Sequence, residues 1–308
     1  MQFKDVVKLT EDQAREHLEH IRWPSGAVCP NCGSKEVTKL NTSASTGHKK
    51  RDGLHKCRTC RKQFTVTCNT IFEGSHISIK TWLMAFSLMC ASKKGISSHQ
   101  LHRMLGITYK TAWFMSHRIR YTMSQEPLAT MLSGGLEADE TYVGGKPRNK
   151  KKLMGQDRLS NKTPVIAIVE RNGRARAKVV RHVTTSKLKL FVSKNADKHS
   201  ILYTDELPAY RSVARFALLK HETVNHRNLE YARDDATTNS VECFFSLLKR
   251  GIMGSFHHVS PWHLQRYCDE FSYRWSYRKA DDSDRTTRAL AQCEGKRMMY
   301  NEPVKKVA

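Results

Sequence analysis

Leu136-Glu137-Ala138-Asp139-Glu140-Thr141-Tyr142-Val143-Gly144-Gly145 is the stretch on which the fold turns. An apolar entry leads to a central carboxylate, and two glycines end the run. A basic tract follows at once, with Lys146, Arg148, Lys150, Lys151 and Lys152. The pattern predicts a buried strand presenting Asp139 at a cleft beside a cationic loop. The expectation is that Asp139 holds a divalent metal against nucleic-acid phosphate. Alone, the motif would be a strand with a solvated acidic end; two later carboxylates change that weighing.

Downstream, Pro164–Val169 is a short apolar run and predicts a buried strand. Arg171-Asn172-Gly173-Arg174 is a hairpin turn, because Asn-Gly supplies the positive φ that tight hairpins need. Ala177–Val183 is the return strand, Ser186–Ala196 a helix, and Ser200–Thr204 a strand ending at Asp205-Glu206. Leu207–Phe216 is a further helix and His221–Val224 a last strand. The succession is three antiparallel strands, then helix, strand, helix, strand and a long helix. It suits an α/β domain with a mixed sheet flanked by helices. In such sheets functional groups collect at strand ends, where Asp139 and Asp205 are expected. The long helix begins near Thr237 and carries Asn239-Ser-Val-Glu242, then Lys249-Arg250. Asn239 and Glu242 are one helical turn apart, and Lys249 two turns beyond Glu242, so all three share a face. Val241, Phe244, Phe245 and Leu248 are expected to pack inward. By itself this is an ordinary surface helix.

Upstream, Gly95–Arg120 reads as two short helices. Ser97 or Ser98 caps the first, Gly106 ends it, and Thr108 caps the second. This describes a helix-turn-helix, whose second helix would bring Tyr109, Lys110 and Thr111 to base edges, with Arg118 as a further DNA contact. Any compact helical pair would look similar; the basic chain favours the DNA-binding form. Before it, Ile79, Trp82, Leu83, Phe86, Leu88 and Met89 form an apolar helical stripe. Cys29-x-x-Cys32 and Cys57-x-x-Cys60 can set four thiolates around one Zn²⁺. All four positions are filled, so the site is structural. Val37–Leu40 and Gln63–Thr67 would form its ribbon, joined by a polar loop over Asn41–Asp52. His48 and His55 are possible substitute ligands. Residues 1–22 predict an amphipathic helix with Thr10 and Gln13 as a capping box.

Near the C-terminus, Pro261 opens a helix whose buried side carries Leu264, Tyr267, Cys268, Phe271 and Trp275. His257, His258 and His263 are expected to contact phosphate or cap that helix. Residues 281–308 are polar and poorly periodic, hence a surface tail.

The chain has 308 residues, and 53 Lys+Arg against 29 Asp+Glu leave a net charge of +24. Such an excess points to a polyanion, and nucleic acid comes first. No apolar run approaches the roughly 20 residues that span a bilayer, and no leader is apparent. The expectation is therefore a cytoplasmic, nucleoid-associated protein with no membrane partner. Nine cysteines, five of them scattered, argue against a disulfide framework.

Taken in order, these motifs resemble the zinc-ribbon DDE-type insertion-sequence transposases, the ISXO-like group. The resemblance rests on the two knuckles, on Asp139-Glu-Thr-Tyr-Val-Gly-Gly, on Tyr203-Thr-Asp205-Glu, on Asn239-Ser-Val-Glu242 with Leu-Lys249-Arg, and on His257-His-Val-Ser with His-Leu-Gln-Arg-Tyr. It implies an RNase H-like core that cuts and joins the element's own DNA ends. Asp139 and Asp205 would be its first two acids and Glu242 its third, with Asn239 an alternative or auxiliary. Lys249 would hold a terminal phosphate, and Arg250, Lys146, Arg148, Lys150 and Lys151 would bind DNA. Glu137, Glu140 and Glu206 are understudies among the acids. The cofactors would be Mg²⁺ or Mn²⁺ at the acids, because hard carboxylate oxygens suit them, and structural Zn²⁺. The partners would be terminal inverted repeats and target DNA, with a homodimer or larger assembly on DNA. The expected domains are 1–70 for the N-terminal helix and zinc ribbon, 71–130 for the helix-turn-helix, 131–280 for the core and 281–308 for the tail. The competing functions are a DNA-binding regulator without catalysis and a structure-selective nuclease on the same core.

Overall fold

Thr10 starts the first long helix as its spacing predicts. In the computed structural model, its hydroxyl accepts from the Gln13 amide, and the Gln13 side chain accepts from the Thr10 amide. The structure describes residues 2–40, 52–124, 130–144, 162–224, 232–233, 236–300 and 302. The chain divides into two units, 1–123 with 279–305 and 124–278 with 306–308.

In the first unit a short helix α1 (Phe3–Lys8) precedes α2 (Glu11–Arg22), so the expected single helix is two. A three-stranded antiparallel ribbon follows in the order β1 (Val37–Lys39), β2 (His55–Cys57) and β3 (Gln63–Phe64). The middle strand was not expected; three residues beside a cysteine knuckle carry no periodicity of their own. Most of the expected Asn41–Asp52 loop lies outside the described residues. Then come α3 (Ile79–Ala91), α4 (Ser98–Leu105) and α5 (Tyr109–Met123). Ser97 caps α4, Gly106 closes it at φ 66°, and Thr108 caps α5 through the Thr111 amide. The Glu11 carboxylate accepts from the Ile79 and Lys80 amides at 2.6 and 3.1 Å, tying α2 to the start of α3.

The expected surface tail is corrected. Asp282–Ala291 form helix α10, capped by Asp281, and it packs on α2, α3 and α5 of the first unit. Ala289, Leu290, Cys293 and Met298 are buried. The apolar residues are few, but they fall on one face of the helix.

The second unit is built on a five-stranded sheet. Its strands are β4 (Gly135–Val143), β5 (Thr163–Glu170), β6 (Ala175–Val179), β7 (Ile201–Thr204) and β8 (Lys220–Thr223), in the order β6-β5-β4-β7-β8. β4, β5 and β6 are antiparallel, whereas β7 and β8 run parallel to β4. That order and those directions make an RNase H-like sheet, as the resemblance implied. β5 is buried on both faces, which is why its sequence is continuously apolar. The hairpin turns at Asn172, φ 57°, and a Cβ on Gly173 would lie 2.1 Å from the Glu170 carboxylate. Four helices cover the sheet: α6 (Thr185–Asn195), α7 (Pro208–Ala217), α8 (Asn239–Gly251) and α9 (Pro261–Ser276). On one face Leu136, Ala138, Ile166 and Ile168 meet α6 and α7. On the other Val165, Ala167 and Val169 meet Val241, Phe244, Phe245 and Leu248 of α8 and Leu264, Cys268 and Phe271 of α9. Alternation along β4 therefore aims Glu137 and Asp139 towards the α8 side.

Candidate active site

The four knuckle cysteines lie together. Their sulfurs are all within 4.8 Å of one another, with Cys29 to Cys60 and Cys32 to Cys57 at 3.6 Å. Zn–S bonds of about 2.3 Å in a tetrahedron need sulfurs roughly 3.8 Å apart, so these positions fit a structural zinc. The Cys60 amide donates to Cys57 Sγ at 3.5 Å, and with the crowding of the four sulfurs this lowers the Cys57 thiol while Cys32 is raised. His55 is not a substitute ligand. Its ring stacks on Phe64 and meets the edge of Trp23, and burial lowers its pKa. His48 lies outside the described residues.

At the start of α5, Tyr109 and Lys110 are exposed and Thr111 is half-buried. Tyr109 stacks on His99, and Lys110 lies over the Tyr300 ring. Arg118 corrects the expectation for it. It is 6 % exposed, donates to the Glu73 and Met298 carbonyls at 3.1 and 3.0 Å, and stacks on Phe114. Its neighbours His117 and Arg120 are buried too, so α5 packs on nearly every side beyond its first turn. The expected cationic residues Lys146, Arg148, Lys150 and Lys151 lie outside the described residues.

In the second unit a cleft of about 670 Å³ is lined by Asp139, Glu140, Thr141, Glu242, Phe245, Ser246, Lys249, Arg250 and Met253. β4 brings Asp139 and α8 brings Glu242, Lys249 and Arg250. Asp205 follows β7, where Tyr203 pairs with Glu137 of β4. Asp205 lies just past the end of that strand, and its negative charge bears on Asp139. The Asp139 carboxyl is pushed up to about 7, first by burial and then by the negative charges of Glu140, Asp205 and Glu242. The Glu140 amide at 2.7 Å opposes this only in part. Glu140 turns to the other side of β4, where Tyr210 donates to it at 3.0 Å; burial raises its pKa as well. Thr238 donates to Glu242 at 2.8 Å and steadies that carboxylate. Asn239, the first residue of α8, is exposed and is not among the residues lining the cleft.

Hard oxygen donors converging on one cleft, with mutual repulsion that a cation would relieve, fit divalent magnesium or manganese. Among the described residues only the four cysteines already sit within one small coordination sphere. Asp139 and Glu242 line a wider space, and Asp205 is not among the residues lining it. His257, expected to cap or to touch phosphate, pairs its Nδ1 with the Met253 carbonyl at the end of a π-helical turn, Ile252–Phe256.

Glu137, an understudy among the acids from sequence, takes a different place. It is 1 % exposed and far from a spare ligand. Its Oε2 accepts from the Ser240 and Val241 amides at 2.6 and 3.1 Å, and its Oε1 from Arg171 Nε at 3.0 Å. Thr238, the N-cap residue of α8, makes no capping bond of its own, and Glu137 does that work from β4. The alternation that puts it on the face of Asp139 was the available signal.

Two family models match the chain. The ISXO2-like transposase domain covers residues 131–276, and the transposase zinc-ribbon domain covers residues 9–63. A protein of transposable element ISH50 from Halobacterium salinarum is 26 % identical over 255 residues, 79 % of this chain and 83 % of that protein. Among solved structures, the Mos1 strand transfer complex is 12 % identical with a TM-score of 0.23, over 60 % of this chain and 73 % of that one. The Mos1 mariner paired end complex with Mn is 13 % identical with a TM-score of 0.25, over 60 % and 74 %. At such scores the fold assignment stands on the sheet order itself. With both family models matched in sequence order, the chain carries a transposase zinc-ribbon domain followed by an ISXO2-like transposase domain.

Proposed function

We propose that this transposase cuts DNA at the ends of its own element and joins the freed 3′-OH to target DNA, using Mg²⁺ or Mn²⁺ held by Asp139, Asp205 and Glu242. The observation that carries the reading is electrostatic. Asp139 and Glu242, from distant parts of the chain, line one cleft, and the charges of Glu242 and Asp205 both raise the Asp139 carboxyl. Bound divalent cations would supply an activated water and stabilise the leaving 3′-oxygen. The protein supplies the rest. β4 and β7 hold two of the acids on a rigid sheet, and α8 brings the third beside two cations. Lys249 and Arg250, both exposed at the cleft, would grip the phosphate next to the scissile bond. Glu242 is the better third acid, because it lines the cleft and bears on Asp139, whereas Asn239 would be auxiliary. Tyr109, Lys110 and Thr111 would read the terminal inverted repeats. Two ends must be held together for joining, so a homodimer or larger assembly forms on DNA, at the nucleoid in the cytoplasm.

A regulator that only binds DNA has no use for an acidic cleft in a chain of net charge +24. The test is cleavage of candidate terminal repeats with Mg²⁺. Asp139→Asn, Asp205→Asn and Glu242→Gln should each lose about 10²-fold or more in rate while still binding the ends. Wild-type nicking by Asp139→Asn would refute the site. Products that are cut but never joined to a second duplex would favour the nuclease.

A further inference from the structure

Glu137 does more than cap a helix. Arg171, at the β5–β6 turn, donates to Glu137 at 3.0 Å and to the Thr237 carbonyl and hydroxyl at 3.3 Å. Its guanidinium lies over the Tyr203 ring, 3.9 Å from the centroid. Tyr203 itself pairs with Glu137 across the β4–β7 ladder. A Cβ at Gly135 would stand 3.1 Å from Arg171 Cδ and 3.4 Å from Tyr203, so glycine leaves the guanidinium room to lie there.

The placement of these groups is regular. Glu137 is two residues before Asp139 on β4. Tyr203 is two residues before Asp205 after β7. Ser240, whose amide and hydroxyl both donate to Glu137 at 2.6 and 3.1 Å, is two residues before Glu242 on α8. Each acid-bearing element is thus gripped a fixed short step from its acid, and all three grips meet at one ion pair whose carboxylate is buried and whose guanidinium is part-buried. The carboxylate is satisfied by amides, a hydroxyl and a guanidinium, and the guanidinium by the carboxylate, a carbonyl and an aromatic face. None of these groups is left to reach the cleft.

We propose that Glu137, Arg171 and Tyr203 form a positioning node that sets the spacing of Asp139, Asp205 and Glu242 and thereby the strength with which they hold divalent cations. The proposal rests on the reading of those three acids as the metal-holding set. Without the node, nothing among these bonds ties the first turn of α8 to the sheet at Glu137. Glu242 would then ride on a frayed helix start, and the three acids would meet a cation one or two at a time.

The deciding variant is Glu137→Leu with Arg171→Met, which removes both charges together so that neither is left unpaired, while the Ser240 and Val241 amides lose their acceptor. Three properties of the full-length protein are measured: its melting temperature, amide hydrogen exchange in α8, and Mn²⁺ binding in the absence of DNA by paramagnetic resonance of the free ion. The expected result is a folded protein whose Ser240 and Val241 amides exchange faster. Its Mn²⁺ affinity should fall by about 10–100-fold, as when other supports of a ligand set are removed. Glu137→Gln keeps a carbonyl oxygen for the two amides and should fall between the double variant and wild type. Asp139→Asn is run alongside. If it loses Mn²⁺ while the folded double variant binds as wild type does, the node is refuted and the acid site stands. If Asp139→Asn itself binds Mn²⁺ like wild type, the acid site fails, and the node falls with it.

Discussion

Burial and three neighbouring negative charges push the Asp139 carboxyl from an ordinary 3.8 to about 7. That shift has a sign in stability. Below about pH 4 both folded and unfolded chains hold the proton, and nothing is lost. Between about 4 and 7 the unfolded chain has released it while the folded chain has not, so stability falls as pH rises through that window. Above 7 the penalty is complete. Burial raises Glu140 as well, and the effect runs the same way. Asp139→Asn should therefore melt several degrees above wild type at pH 8 without added Mg²⁺, with the gap closing towards pH 4. Mg²⁺ should then stabilise wild type at pH 8 and leave the variant unmoved. A melting curve for the two proteins at both pH values decides it, and an Asp139→Asn no more stable than wild type at pH 8 would sink it. Strained acids of this kind are where a site gives up stability for function. Asp139, Asp205 and the Glu242–Lys249 interval stand in motifs, so the sequence alone nominates them. The role of Glu137 was not legible, since its partners Ser240 and Val241 lie 103 and 104 residues away and no local pattern joins them.

Caps and breakers made the elements readable. Thr10, Ser97, Gly106, Thr108 and the Asn172-Gly173 turn each act on their own neighbours, and each does in the structure what its type suggests. What failed was the assumption that a basic residue on a reading helix faces outward. Arg118 lies nine residues after Tyr109, by which point α5 is covered by the rest of the first unit. Lys110 and Arg118 therefore separate cleanly. Lys110→Ala should weaken binding to the element ends with little change in melting temperature. Arg118→Ala should strand the Glu73 and Met298 carbonyls, costing about 1–3 kcal/mol per group left unpaired. Its melting temperature should drop, with DNA affinity per folded molecule retained. Equal effects of the two on binding, at unchanged stability, would return Arg118 to the DNA surface.

At the scale of the whole chain, sequence order and spatial order part company. The acids span residues 139–242 and stay within the unit that runs from 124 to 278. The last helix, α10, belongs to the first unit, though it begins at Asp282 and α5 ends at Met123, because its one apolar face needs α2, α3 and α5 to cover it. Composition hides this, since Asp282–Ala291 is mostly polar and only burial marks Thr286, Ala289 and Leu290. Deleting residues 279–308 should therefore act far from where it cuts. The first unit loses the burial of Leu290 and Met298, about 1.5–3 kcal/mol each. Against a total of roughly 5–15 kcal/mol for a domain, that is a large share. Calorimetry of the truncated protein should show the transition of the first unit moved to lower temperature, with weakened binding to DNA ends. The transition of the second unit and its Mn²⁺ binding should be unchanged, because strands, helices and acids of that unit are all present. Loss of Mn²⁺ binding on truncation, with the first unit melting as before, would mean that the division between the units has been drawn in the wrong place.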